Sequence, residues 1–170
     1  MKRTAILIFS VLMPMFMSAQ KYPTGITPYT LTQACNYFCR SEHNKGDALL
    51  RKLGYSRVGE YDQSIGCIIL YSRKCNLRVS NSGRNVSATP TTRDGYASYI
   101  LIDIGVGLDT SMSVTFVSST GANAFANLLR QTKYRLRGKI WEQAGTDNCF
   151  IQKGRTFIAP GDYGLESFVF

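Results

Sequence analysis

The spacing of apolar residues in the first third of the chain predicts two helices. Between residues 31 and 39 the apolar positions recur at i, i+3, i+4, i+7 and i+8, which is one face of an α-helix: they are Leu31, Ala34, Cys35, Phe38 and Cys39. The segment Thr30–Gln33 has the form of a capping box, which marks a helix start. Residues 41–47 form a polar break, and a short helix is predicted over 48–53, with Gly54 as its left-handed stop.

Most of the remaining chain has the apolar runs and alternation that favour β-strands. Strands are predicted over residues 55–61, 66–71, 98–105, 112–118, 133–141, 149–152, 156–159 and 164–170. A third helix is predicted over 122–130, where the apolar positions again share one side. Residues 80–95 are rich in Ser, Thr, Asn and Gly and are predicted to form one long loop. The fold class is therefore α+β, with helices packed on antiparallel strands.

The two halves of the chain carry similar segments. At an offset of 79 residues, Leu49-Leu50-Arg51 matches Leu128-Leu129-Arg130, Tyr55 matches Tyr134, and Gly59 matches Gly138; with a small gap, Cys67-Ile68-Ile69 matches Cys149-Phe150-Ile151. We interpret this as an internal duplication that covers about residues 30–80 and 112–170. The expected structure is two related units, each a helix with an antiparallel sheet, packed as one compact domain over residues 20–170 and joined through the loop 80–95.

In outline this repeat resembles the tandem architecture of the secreted β-lactamase-inhibitor proteins, which repeat at about this length. The resemblance is one of architecture, and no motif residue of that family is matched in this chain. It therefore assigns no binding residue here.

The first twenty residues have the layout of a secretory signal peptide. Lys2 and Arg3 form a charged start, residues 5–17 are apolar except for one serine, and the small residues Ser18 and Ala19 follow. The apolar run is shorter than the roughly 20 residues that a spanning helix requires. We expect a signal peptide over residues 1–19, cleaved after Ala19, and a periplasmic or extracellular mature protein without a membrane span. Because the signal contains no cysteine, we expect release rather than lipid anchoring.

Composition and charge narrow the function classes. At 44% hydrophobic and 18% charged, the chain has the composition of a globular domain rather than a disordered segment. The formal charge is +9, and removal of the signal leaves about +7. A basic secreted protein is expected to meet anionic partners, namely acidic proteins, anionic glycans or lipid headgroups. Nucleic acid is not an expected partner outside the cell.

The five cysteines agree with an oxidising compartment. The candidates for disulfide bonds are Cys35, Cys39, Cys67, Cys75 and Cys149. One or two bridges are predicted within the chain, with the pairing left open, and the odd cysteine permits a disulfide-linked dimer. With a single histidine and spacings of Cys-x3-Cys and Cys-x7-Cys, the chain does not fit the usual zinc motifs, so no metal and no cofactor is predicted.

One predicted strand has a strongly basic face. Within residues 133–141 the cations alternate with mostly apolar residues; they are Lys133, Arg135, Arg137 and Lys139. Because alternate residues of a strand face opposite sides, one face would present four cations over about 20 Å. Together with the flanking Arg130 and Trp141 these residues are the candidate binding site. The alternative is a solvated face whose charges protect a sheet edge.

The alternative to a binding module is a small secreted hydrolase that uses carboxylates. Asp103 lies unexpectedly within an apolar strand, and other acids fall near strand ends or turns: Glu60, Asp62, Glu142 and Asp147. A glycosidase-type mechanism needs two carboxyl groups about 5–10 Å apart, and the sequence does not pair any two of these. The sequence therefore predicts a secreted, non-enzymatic binding or interaction module, with the hydrolase as the second hypothesis.

Overall fold

A computed structural model of the chain describes residues 22–64, 66–83, 85–92, 94–105 and 110–161. The predicted signal sequence and the predicted strand 164–170 lie outside these residues. The described part is an α+β structure, as the sequence predicts, with its helices packed on a mostly antiparallel sheet.

Three helices form in this part of the chain: α1 (Pro28–Cys39), α2 (His43–Lys52) and α3 (Ser119–Gln131). The capping box of α1 is Thr27 with Thr30, one turn earlier than predicted: each side chain bonds the backbone N–H of the other. Proline at the first helical position suits this start, because its missing N–H would have no partner there. None of the helices in the described ranges is both long and apolar enough to cross a bilayer.

Helix α2 begins five residues before the predicted helix and absorbs most of the predicted polar break. Its first turn is exposed and therefore lacks apolar residues, apart from Gly46, which is buried against the ring of Phe38. Gly54 adopts a φ of +86° directly after α2, which confirms the predicted left-handed stop.

The strands are β1 (Ser56–Gln63), β2 (Gly66–Arg73), β3 (Leu77–Asn81), β4 (Val86–Pro90), β5 (Ser98–Gly105), β6 (Thr110–Phe116), β7 (Tyr134–Arg137), β8 (Ile140–Gln143), β9 (Cys149–Lys153) and β10 (Thr156–Pro160). Eight of them form one sheet in the order β1-β2-β5-β6-β10-β9-β8-β7. All of its neighbouring strands are antiparallel. The sheet thus has two four-stranded halves. One consists of β1, β2, β5 and β6, which precede α3 in the chain, and the other of β7 to β10, which follow it. The halves join where β6 pairs with β10.

The predicted long loop 80–95 is wrong in part, because β4 and the end of β3 lie within it. These two strands pair only with each other, as a separate two-stranded hairpin. Their side chains mostly alternate between exposed polar and half-buried apolar positions, the latter being Leu77, Val79, Val86, Ala88 and Pro90.

The main core lies between the helices and one face of the large sheet. Aromatic rings form its centre under α3: the ring of Phe125 is 4.9 Å from that of Phe157 and 5.6 Å from that of Phe116, measured between centroids. Such tilted ring pairs combine a large buried area with favourable electrostatics. The edge of this core is closed by Tyr134, Trp141 and Phe150, which carry it to the last strands of the sheet.

Candidate functional site

The segment predicted as one basic strand, 133–141, is a β-hairpin. Strand β7 ends at Arg137 and β8 begins at Ile140, with Gly138 at a φ of +60° in the turn between them. Lys139 lies in this turn, and Lys133 lies before β7 at a φ of +69°. The prediction of four cations in a row on one strand face is therefore wrong. The sequence does not show this turn, because Gly138 and Lys139 continue the alternation of uncharged and basic residues that predicts a strand.

The register of the hairpin places the two remaining cations, Arg135 and Arg137, on one face of the sheet. Leu136 pairs with Trp141, and Arg135 pairs with Glu142. Trp141 belongs to the core, so Arg135 and Arg137 lie on the face of the sheet that carries no helix. There the guanidinium of Arg137 is 3.5 Å from the carboxylate of Glu142, which partly neutralises it.

On the other face, Trp141 organises a second group of residues. Its indole is 1% exposed, and its Nε1–H donates to Gln152 Oε1 at 2.8 Å. The guanidinium of Arg130, from the end of α3, lies 5.3 Å from the centre of the indole ring and donates to Asn127 Oδ1 at 2.7 Å. A cation over an aromatic face is attracted by the ring quadrupole. Arg130 is therefore held in one orientation by two contacts.

Next to this stack lies an open depression of about 610 Å³, lined by Leu136, Gly138, Lys139, Gln152, Lys153 and Gly154. Leu136 is 46% exposed and contributes an apolar side chain to this lining. The backbone N–H of Gln152 donates to the carbonyl of Lys139 at 2.7 Å and ties β9 to the turn. We call the group formed by Arg130, Leu136, Lys139, Trp141, Gln152 and Lys153 the basic corner.

The basic corner keeps three of the six predicted binding residues, Arg130, Lys139 and Trp141. It adds Leu136, Gln152 and Lys153, which the sequence analysis did not select. The sequence contains one sign of these additional residues: Lys153 precedes Gly154, which lies between two short predicted strands and takes a positive φ in the turn. The strand pairing that brings β9 beside the turn at Lys139 is a long-range feature, which alternation along one strand does not reveal.

A second depression, of about 560 Å³, lies between α1 and the other end of the β7–β8 hairpin. One wall is the outer side of α1 and its C-cap, with Tyr29, Thr32, Gln33, Asn36, Tyr37 and Arg40. The opposite wall is formed by Thr132, Tyr134, Gln143 and Asn148. We call this depression the α1 groove. The apolar spacing of this helix predicts that its inner side lies in the core, and it predicts no binding residue on the outer side.

Two side chains on the far wall of the α1 groove are fixed by hydrogen bonds. The Tyr134 hydroxyl hydrogen-bonds to the side chain of Thr32, and burial raises the pKa of Tyr134 to about 12, so it stays neutral at physiological pH. Gln143 donates to the carbonyl of Thr132 at 3.0 Å and accepts from Asn148 Nδ2 at 3.2 Å. This wall is therefore ordered before any ligand arrives.

Three carboxylates of the hydrolase hypothesis lie near the thiol of Cys67. Burial is the main cause of the raised pKa of this thiol, and Glu60, which hydrogen-bonds to it, Asp62 and Asp103 raise it further. Glu60 forms an ion pair with Arg57, and Asp62 lies opposite Cys67 on the edge of the sheet. Asp103 pairs with Ile68, the residue next to Cys67 on β2. Because neighbouring residues of a strand face opposite sides, the side chain of Asp103 lies on the opposite face of the sheet from that of Asp62. Partial desolvation raises the pKa of Asp103 above its ordinary value. Among the described residues, no carboxylate lines the basic corner depression or the α1 groove.

The predicted disulfides are wrong for this structure. All five cysteines lie in the described ranges, and none of them is in a disulfide. Cys35 Sγ and Cys39 Sγ are 4.0 Å apart, about twice the length of an S–S bond. Cys35 does point into the core, as its helical position predicts, but it meets the carbonyl of Ala159 at 3.7 Å rather than a cysteine on a strand.

The remaining cysteines are separated by the topology of the sheet. Cys67 and Cys75 lie near opposite ends of β2, and Cys149 is on β9 in the other half of the sheet. Burial raises the pKa of all three thiols, which lowers the thiolate fraction and hence their reactivity at neutral pH. A disulfide-linked dimer stays a prediction.

Comparisons with protein families, with curated protein sequences and with solved structures find no match to the chain. The outline resemblance to the β-lactamase-inhibitor proteins gains no support from them. The assignment of function therefore rests on the surface chemistry of this chain.

Proposed function

We propose that the protein is a non-enzymatic binding module that recognises an anionic partner through the basic corner. The observation that carries this proposal is a depression lined by two cations, beside a third cation that is held on the ring of Trp141. Arg130 comes from α3, Lys139 from the β7–β8 turn, and Lys153 from the end of β9. Lys139 and Lys153 line the depression beside the exposed Leu136, and Arg130 is linked to it through Trp141, whose indole bonds to Gln152. None of the described residues that line the depression is a carboxylate.

Physical chemistry favours such a corner as a contact surface. Clustered cations raise the local concentration of an anionic partner and orient its approach. The exposed leucine adds apolar area that a partner can remove from water. Because Arg130 is already fixed by Trp141 and Asn127, less side-chain entropy is lost when it engages a carboxylate, sulfate or phosphate.

We also propose that the protein acts outside the cytoplasm. The support is the layout of residues 1–19, with its charged start, apolar run and small residues before the expected cleavage point after Ala19. N-terminal sequencing of the protein from its natural source should then begin at Gln20. In that compartment the anionic partner is a glycan, a lipid headgroup or an acidic protein.

We further infer that the domain consists of two related units. In support, α2 and α3 are each followed by a residue of positive φ, Gly54 or Lys133, and then by a buried tyrosine, Tyr55 or Tyr134, at the start of a four-stranded half. The two tyrosines are matched at the offset of 79, and Gly54 and Lys133 occupy the positions directly before them. The match of 67–69 with 149–151 gains no support, since β2 is the second strand of its half and β9 the third.

The proposal is tested with the only tryptophan of the chain as a reporter. Three anionic probes are titrated at low ionic strength: a heparin fragment, poly-glutamate, and vesicles of phosphatidylglycerol. We expect at least one to change the emission of Trp141 saturably, because an anion bound at the Arg130 guanidinium changes the electric field at the indole that this guanidinium covers. The probe that binds identifies the chemical source of the anion.

Calorimetry of the same mixtures provides the control for binding that does not disturb the indole. Added salt should weaken the interaction, since the cations are exposed and screened within a Debye length of about 8 Å at physiological ionic strength. If none of the three probes binds saturably at low salt by either method, the proposed function is wrong. We do not advance the hydrolase hypothesis, because the described carboxylates do not converge on either depression.

A further inference from the structure

The α1 groove has a lining different from that of the basic corner. Along the outer side of α1, Tyr29, Gln33, Asn36 and Tyr37 recur at helical spacing and line the groove. Tyr29 is 72% exposed, the highest value among the large hydrophobic side chains of the described residues. An exposed aromatic ring beside side-chain amides is a surface with both an apolar face and hydrogen-bonding groups.

The polar groups of the groove suit a ligand rich in hydroxyls. The amides of Gln33 and Asn36 each offer two donor hydrogens and one acceptor oxygen. Gln143 and Asn148 each keep one donor hydrogen beyond the bonds that hold them. A hydroxyl group both donates and accepts, so it can bond an amide at both ends. Of the described residues in the lining, Arg40 at the C-cap of α1 is the only one with a charged side chain. A strongly anionic polymer therefore finds fewer partners here than at the basic corner.

The groove is also suited to binding by its size and order. Its volume of about 560 Å³ falls within the ~300–1,000 Å³ range of small-molecule sites. Gln143 is held by the carbonyl of Thr132 and by Asn148, and Tyr134 by Thr32, so one wall keeps its shape. Such preorganisation reduces the entropic cost of binding.

We propose that the α1 groove binds a short neutral oligosaccharide. Tyr29 stacks on the apolar face of a pyranose ring, and the ring hydroxyls bond to the amides of Asn36 and Gln143. This site is separate from the basic corner, which lies at the turn end of the same hairpin. Sugar binding is thus a further activity that does not rest on recognition of an anion.

The test uses short chito-, cello-, manno- and galacto-oligosaccharides as probes. Two-dimensional NMR spectra record the side-chain amide signals of Asn36 and Gln143 during each titration. We expect at least one sugar series to shift these signals saturably. In contrast to binding at the basic corner, this affinity should change little between low and physiological salt, because the contacts are uncharged.

Variants separate stacking from a general loss of structure. Tyr29→Ala should weaken sugar binding by at least about tenfold, as is common for an aromatic anchor, whereas Tyr29→Phe keeps the ring and should retain most of the affinity. Val58→Ala, an exposed apolar residue of β1 at the other edge of the sheet, is the matched control and should have no effect. Lys139→Gln/Lys153→Gln should also leave sugar binding unchanged while it weakens anion binding.

Two results would overturn the inference. One is the absence of saturable shifts with all four sugar series, and the other is sugar binding that survives Tyr29→Ala. Neither result bears on the basic corner, whose own probes are anionic, so the two proposals fail independently.

Discussion

Gly46 is a residue at which helix propensity and packing oppose each other. It lies buried inside α2, and a Cβ added there would be 2.5 Å from Cε2 of Phe38, a ring that is 2% exposed. In an exposed helix, alanine is favoured over glycine by about 1 kcal/mol. Here the methyl group requires the core ring to move, and overpacking of this kind costs about 1–3 kcal/mol. The close approach of α1 and α2 therefore depends on this glycine.

We expect Gly46→Ala to lower the free energy of unfolding by about 1–2 kcal/mol, measured by urea denaturation. The same substitution in a Phe38→Leu background provides the control, because the smaller side chain leaves room for the methyl group. There Gly46→Ala should be neutral or stabilising. An equal loss of stability in both backgrounds would show that contact with the ring is not the cause.

Asp103 contributes a pH dependence to stability. Its pKa is raised in the folded protein by partial desolvation, so folding favours the protonated carboxyl. Stability from this group is complete below the unfolded pKa of about 3.9 and falls as the pH rises through the folded value. We expect Asp103→Asn to raise the thermal midpoint at pH 7 and to have a smaller effect near pH 3.

The control for Asp103 is Asp147→Asn, which removes the same charge from an exposed turn. It reports how net charge alone changes stability in a basic protein. If the two variants shift the midpoint equally at pH 7, desolvation of Asp103 does not account for the effect.

At the scale of elements, the sequence predicts best the helices and strands whose apolar pattern lies within one continuous segment. Strand β5 was predicted with its observed bounds, because Ile100 and Ile102 alternate with less buried residues between clear breaks. Helix α3 was found from its apolar side, although its start at Ser119 was missed: the first turn is capped by the Ser118 hydroxyl, not marked by apolar residues.

The errors arose where tertiary context decides the structure. The hairpin β7–β8 was read as one strand, since nothing in its charge alternation showed that Gly138 takes a positive φ. The basic corner depends on the pairing of β8 with β9, which joins residues of separate segments. The α1 groove forms only because the far end of the hairpin lies across from α1. For both sites, the sequence shows individual residues but not that the fold brings them together.

The hairpin β3–β4 should be dispensable for folding. It pairs with no strand of the large sheet, and its base is closed by Asn76, whose carbonyl accepts from the backbone N–H of Thr91 at 2.9 Å. We expect replacement of residues 77–90 by an Asn-Gly turn to change the free energy of unfolding by less than about 1 kcal/mol, since loop closure depends weakly on length. A loss of several kcal/mol in urea denaturation would show that the hairpin is an integral part of the domain.

At the scale of the whole molecule, the arrangement of charge matters more than its sum. The formal charge of +9 alone predicts weak attraction to any polyanion. The fold concentrates part of this charge, because Arg130, Lys139 and Lys153 lie at one end of the sheet, near an exposed leucine. Lys52 on α2 and Arg78 on β3 are exposed cations that line neither the basic corner depression nor the α1 groove.

The most direct measurement compares two double variants of equal charge against the anionic probe that binds. Lys139→Gln/Lys153→Gln removes two cations of the basic corner, and Lys52→Gln/Arg78→Gln removes two elsewhere. At low salt we expect the dissociation constant to rise at least about tenfold for the first, equivalent to ~1.4 kcal/mol, and less than about twofold for the second. Equal rises in the two variants would contradict the account, because net charge alone would then explain the binding.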